Sequence, residues 1–231
     1  MLAITDTTYS FVYAALGGIV PALFWLWFWL REDKLHPEPR GRIMLAFLGG
    51  MAAVALVYFP EKWIIERYGL GATTLWLWAA LEESMKLFMA WLTALRTRDN
   101  DEPIDAIEYL ITTALGFAAL ENTFFILNPL LDGHILQGLI ATNMRFVGAS
   151  LLHVVSSGVL GYFIAREFYR GRLAKNAWRI VGLSVAIALH ALFNLFIIYD
   201  NGSETFLVFG CVWAAAIGVL LLFERAKAVH Q

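Results

Sequence analysis

Residues Ser10 to Leu30 read SFVYAALGGIVPALFWLWFWL, twenty-one positions without a charge. A bilayer hydrocarbon core about 30 Å thick is crossed by ~20 apolar residues in a helix, so this stretch is long enough to span it. No basic residue precedes it and it is longer than the apolar region of a cleaved leader, so it reads as a retained span. Working outward, comparable apolar runs occupy residues 42–59, 72–95, 104–127, 137–165, 177–199 and 204–223. They lack the ten-residue alternation of an outer-membrane barrel. A lipid-exposed backbone must satisfy its own N–H and C=O groups, and helices do so within each segment. The expected fold class is all-α, a polytopic membrane bundle of about seven transmembrane helices.

Composition agrees. Hydrophobic residues make up 60% of the 231 positions and charged residues 16%, where an ordinary soluble domain is about 25% charged. Seven crossings take up ~140 to 150 positions, which leaves short connections and one membrane-embedded domain over residues 1–231. The formal charge of -2 gives no reason to expect nucleic acid as a partner, and the single cysteine, Cys211, forms no internal disulfide. Lysine and arginine fall thirteen to two across alternate connections: Arg31–Arg42, Arg96–Arg98, Arg166–Arg179 and the C-terminal tail on one side, Lys62 and Arg67 on the other. The positive-inside rule then places the N-terminus outside and the C-terminus in the cytoplasm. His36-Pro37-Glu38-Pro39 reads as a stiff, extended loop, because the prolines fix φ and exclude helix.

The informative residues are polar ones inside these spans. Span three carries Glu82, Glu83 and Lys86; span four Glu121 and Asn122; span five Arg145, His153 and Ser157; span six His190 and Asn194. A charge at the bilayer centre costs roughly 2.5 to 3.5 kcal/mol, so span three must face its neighbours or water. Glu82 and Glu83 stand four and three residues before Lys86, so the one lysine can neutralise either. The other glutamate is left as a candidate proton acceptor or donor. Counting ~1.5 Å per residue from the outer helix ends, Glu83, Glu121 and His190 lie roughly 10 to 15 Å deep and His153 nearer 22 Å, a difference that helix tilt can close. Singly, each of these groups reads as helix glue or a core histidine. Four helices contributing acid, amide and imidazole groups at similar depth point to a common cause.

Several intramembrane chemistries are excluded by spelling. No HExxH is present, no GxGD occurs, and Gly148-Ala149-Ser150-Leu151 lacks the final glycine of GxSG. Span seven has no lysine for a retinal Schiff base. What is present is Glu82-Glu83-Ser84-Met85-Lys86 as EExxK, Phe117-Ala118-Ala119-Leu120-Glu121-Asn122 as FxxxEN, a lone His153, and His190 to Asn194 as HxxxN. This set resembles the PrsW family of intramembrane proteases, relatives of the CAAX-processing and bacteriocin-processing type II endopeptidases. The His36 to Pro39 loop and the placement of Asp105, Tyr109, Gly116 and Phe117 add to the likeness, which covers about residues 30 to 199; Ala106 stands where a glycine is common.

The resemblance implies hydrolysis of a peptide bond in or beside a prokaryotic cytoplasmic membrane. Glu82, Glu83 or Glu121 would take the proton of the attacking water. His153 would share that water or protonate the leaving amine, and His190 with Asn194 would face the oxyanion. Lys86, Asn122 and Arg145 are supporting residues. A metal-free site is the preferred version; the alternative holds Zn2+ on Glu121, His153 and His190. The implied substrate is a single-pass membrane protein such as an anti-sigma factor, cut toward the outer half of the bilayer. The rival from another class is a proton-coupled carrier that uses the same Glu, His and Lys as a relay, against which stands the lack of helix breaks or paired inverted repeats.

Overall fold

The structure, a computed structural model, describes residues 7–33, 36–199 and 204–229, the side chains of 198 and 199 excepted. Helices α1 (Thr7–Trp29), α2 (Arg40–Tyr68), α3 (Ala72–Ala90) and α4 (Asp105–Leu131) are followed by α5 (Ile135–Met144), α6 (Ser150–Ala165), α7 (Arg172–Asn194) and α8 (Thr205–Lys227). Among the described residues there is no strand. α5 and α6 form one crossing, joined by a wide π-helical turn at Arg145–Ala149; similar turns follow α3 at Trp91–Leu95 and α7 at Leu195–Tyr199. α1, α2, α4, the α5–α6 unit, α7 and α8 are each long and apolar enough to cross a membrane. The nineteen-residue α3, which carries Glu82, Glu83 and Lys86, packs against α2, α7 and α4.

Two boundaries differ from the sequence reading. The second span was expected to stop at residue 59, before Pro60; α2 continues through that proline to Tyr68, forgoing one backbone hydrogen bond. It ends at Gly69, whose φ of 70° suits glycine and whose N–H reaches the Ile65 carbonyl at 2.9 Å. The fifth span, read as one uninterrupted helix over 137–165, is instead interrupted at Arg145–Ala149, where widening of the turn redirects the chain between α5 and α6. Such turns recur at functional sites.

α4 lies at the centre, packed against α1, α2 and α6 and buried along most of its length. Its neighbours reach it through small residues. Ala14, Gly18 and Ala22 form one stripe of α1, and a Cβ on Gly18 would strike Thr123 and the Ala119 backbone. Where α2 crosses, Gly116 meets the Phe47 carbonyl and Gly50 the Thr113 carbonyl. In lipid, helices associate by close packing of this kind rather than by expulsion of water. Gly116→Val places a side chain against backbone that cannot yield, so its cost lies at or above the upper end of ~1–3 kcal/mol. The expected result is a lower thermal unfolding midpoint in detergent than for Gly218→Val, where a Cβ would meet nothing within 4 Å. Outside this core, Trp27, Leu45, Trp63, Phe206 and Leu221 stand more than 45% exposed, the surface a lipid solvent requires.

Candidate active site

Four helices deliver ionisable groups to one place. From α3 come Glu82, Glu83 and Lys86, all buried; from α4 Glu121 and Asn122; from the wide turn and α6 Arg145, His153 and Ser156; from α7 His190. The expected convergence is therefore a fact of the geometry. The rings of His153 and His190 lie edge to face with centroids 5.1 Å apart, and Phe117 walls the site 5.4 Å from His153.

Lys86 has no exposed surface, so its ammonium must be neutralised locally. Its Nζ donates to Glu83 Oε1 at 2.6 Å and lies 3.0 Å from His153 Nδ1, with the Phe117 ring 5.2 Å away. An ammonium is a donor only. His153 Nδ1 is thus the acceptor, and the imidazole proton belongs on Nε2, which donates to Glu121 Oε2 at 3.1 Å. Glu121 is also ion-paired with Arg145, and Arg145 Nε donates to Asn122 Oδ1, whose own amide nitrogen donates to Ser150 Oγ at 3.0 Å. The Arg145 guanidinium packs on Phe125 at 3.9 Å.

The second branch leaves Glu83. Besides Lys86, its Oε1 accepts from Ser156 Oγ at 3.0 Å and from His190 Nδ1 at 2.7 Å. With its proton on Nδ1, His190 turns an unprotonated Nε2 toward Glu82 Oε2, 3.8 Å away and beyond hydrogen-bond length. That oxygen of Glu82 is buried and no described donor reaches it. The choice the sequence left open is settled by rotamer: Lys86 pairs with Glu83, not Glu82.

Two contributors were not anticipated. Glu61, from the part of α2 beyond Pro60, brings its carboxyl beside that of Glu82; the early end assigned to span two had put it in a loop. Ser156 reaches Glu83, where the sequence reading had singled out its neighbour Ser157, whose hydroxyl is buried without a partner among the described residues. Asn194 ends α7 one turn after His190, is half-buried, and is tied to the cluster by no contact among the described residues.

Glu82, His153 and His190 each offer one donor atom, all within 4.8 Å of one another. This differs from the expected set of Glu121, His153 and His190, because Glu121 is committed to Arg145. One carboxylate and two imidazoles make a catalytic zinc donor set. Glu83 on His190 Nδ1 and Glu121 on His153 Nε2 supply the carboxylate backing that orients metal-bound imidazoles. With the orphaned Glu82 oxygen, the donor chemistry fits a metal, provided Lys86 releases His153 Nδ1.

Residues 38–222 match the model of the PrsW family intramembrane metalloproteases. Protease PrsW of Bacillus subtilis (strain 168) is 22% identical over 182 residues, covering 77% of this chain and 79% of the relative. Protease PrsW of Halalkalibacterium halodurans is 23% identical over 185 residues (77% and 80%), and that of Oceanobacillus iheyensis 22% over 215 residues (92% and 94%). No solved structure matches.

Proposed function

Because the chain belongs to the PrsW family of intramembrane metalloproteases, we propose that it hydrolyses a peptide bond in a membrane-anchored protein, with Glu82 taking the proton of the attacking water. That the chain is a multi-pass membrane protease is carried by the family; the assignment to Glu82 rests on one observation. Of the three glutamates in the cluster, Glu121 is held by a guanidinium and an imidazole and Glu83 Oε1 by three donors; Glu82 Oε2 and Glu83 Oε2 both lack a donor among the described residues, and it is Glu82 Oε2 that faces His190 Nε2 across 3.8 Å.

A water within reach of both atoms would give its proton to Glu82 as its oxygen bonds to the scissile carbonyl carbon. His190 Nε2 then carries that proton to the amine nitrogen as the C–N bond breaks. Glu83 holds His190 in the tautomer that leaves Nε2 free, as a buried carboxylate does in a hydrolytic triad. Lys86 and the Glu121–Arg145 pair fix His153, so the orientation of that imidazole depends on the charges at both its nitrogens. In the alternative arrangement Glu82, His153 and His190 would hold a metal that polarises the carbonyl and acidifies the water, and as ligands Glu82 and His190 would then not carry the proton.

Asn194 is the amide best placed to donate to the developing oxyanion, since it follows His190 by one turn and has no competing partner among the described residues. Losing one such donor costs about 10²- to 10³-fold in kcat, so Asn194→Ala is expected to fall in that range with its unfolding midpoint unchanged. The proposed substrate is a single-pass protein such as an anti-sigma factor, cut toward the outer half of a cytoplasmic membrane in which the N-terminus is outside. The thirteen-to-two distribution of cations supports that orientation. The test is a reconstituted assay with a tethered single-pass reporter and mapping of the product termini. Cleavage unchanged in Glu82→Gln, Glu83→Gln, Glu121→Gln, His153→Ala and His190→Ala together would sink the protease site, and cuts on the cytoplasmic side would sink the assignment of depth.

A further inference from the structure

A second group of acids gathers where α1 ends and α4 begins. Asp33, Glu102 and Asp105 each offer an oxygen within 4.8 Å of the other two. Glu38 is in side-chain contact with Asp105 and accepts a hydrogen bond from the Tyr109 hydroxyl. Glu38, Asp33 and Glu108 line a cavity of about 490 Å³ against α1 and α2.

Part of this arrangement is helix architecture. Asp105 Oδ2 accepts from the backbone N–H of Asp101 at 2.8 Å and of Glu102 at 2.7 Å, and Asp105 and Glu108 sit in the first turn of α4, where negative charge suits the helix end. Capping does not account for the rest. Asp33 is 6% exposed and Glu108 3%, yet Asp33 Oδ2 and Glu108 Oε1 are reached by no described donor. Nor does any described lysine or arginine pair with the five acids. Arg42 is taken by Asp99 at 2.6 Å and Lys227 by Glu224 at 2.5 Å; the one ionic partner is His36, 3.1 Å from Glu102. Buried carboxylate oxygens without donors are a costly arrangement unless a proton or a cation completes it.

We infer that Asp33, Glu102 and Asp105 form a binding site for a hard divalent cation, flanked by Glu38 and Glu108, that clamps the α1–α2 connection to the start of α4. Three oxygens no more than 4.8 Å from one another leave a common centre within about 2.8 Å of each, which a small inward movement of the side chains brings to the ~2.4 Å that calcium takes, and carboxylates are the ligands of such ions. The site is separate from the catalytic acids: Asp105 precedes Glu121 by sixteen residues on α4, about 24 Å along the axis.

Full-length protein in detergent, stripped with EDTA, is titrated with Ca2+ and separately with Mg2+, following thermal unfolding and calorimetry. The expected result is one ion per chain and a midpoint raised by about 3 °C or more at saturation. Both effects are lost in Asp33→Asn and in Glu102→Gln and kept in Glu82→Gln and His190→Ala. Glu102 is half-exposed, so its variant carries the test should Asp33→Asn fail to fold. Lys34 lies outside the described residues, and Lys34→Met is the control for an internal ammonium: a wild type that binds no ion beside a Lys34→Met variant that does would overturn the assignment. Absence of stoichiometric ion in both, or binding lost in His190→Ala but kept in Glu102→Gln, would overturn it equally.

Discussion

Glu82→Gln is expected to leave the bundle folded and to abolish cleavage of a tethered reporter, by on the order of 10² to 10⁴ in kcat, the range a positioned general base supplies. The substitution is isosteric and, at this position, breaks no ion pair. Glu82 has no lysine or arginine partner within the described residues; its neighbours are His190 at 3.8 Å and the Glu61 carboxyl. The unfolding midpoint should therefore hold or rise, since a neutral amide is easier to bury than a carboxylate. Glu83→Gln behaves differently: it weakens the anchor shared by Lys86, Ser156 and His190, so stability and activity fall together. Metal analysis of the same two proteins adds a reading that activity alone does not give. If zinc sits on Glu82, His153 and His190, then Glu82→Gln loses bound zinc along with activity; if Glu82 acts only on water, metal content is the same before and after. Full activity in Glu82→Gln would remove the proposed base.

Lys86→Met is expected to be the most destabilising substitution in the site, by about 3–5 kcal/mol, because it strands a buried carboxylate. Glu83 has no exposed side-chain surface, and among the described residues Lys86 is its only lysine or arginine partner. Removing the ammonium also frees His153 Nδ1, so the ring loses the contact that sets its tautomer. The double variant Lys86→Met, Glu83→Gln should recover most of the lost stability and none of the activity. Thermal unfolding of the wild type, both single variants and the double variant yields the coupling energy between the two positions. A coupling near zero would mean that the pair contributes nothing to holding α3 in the bundle.

Much of this was legible in the sequence, and particular residues show why. The first span, expected over 10–30, is α1 over Thr7–Trp29, because an uncharged run in lipid has no alternative to helix. The grouping of Glu82, Glu83, Glu121, His153 and His190 followed from the expense of charge in hydrocarbon, which forces such residues toward one another. What spacing could not carry was rotamer and register. Positions three and four residues before Lys86 are equally near it in sequence, and only the side-chain direction selects Glu83. The same limit applies to the candidate ligands, where it is Glu82 that offers an oxygen within 4.8 Å of both imidazoles: the groups sit on different helices, and their distances depend on how those helices are rotated. Glu61 escaped notice for a local reason, since Pro60 is a helix stop in water and a tolerated interruption within a packed bundle.

The central placement of α4 has a consequence for traffic. A spine gripped by glycine and alanine contacts on several sides cannot part along its own length, so a polypeptide approaching the acids has to slip in sideways, between the outer staves. α8, little buried along its apolar stretch and packed chiefly on α6, is the stave with least to lose by swinging outward. Turnover in such an architecture would be paced by the gap a substrate can prise open at the rim, while the middle of the barrel keeps still.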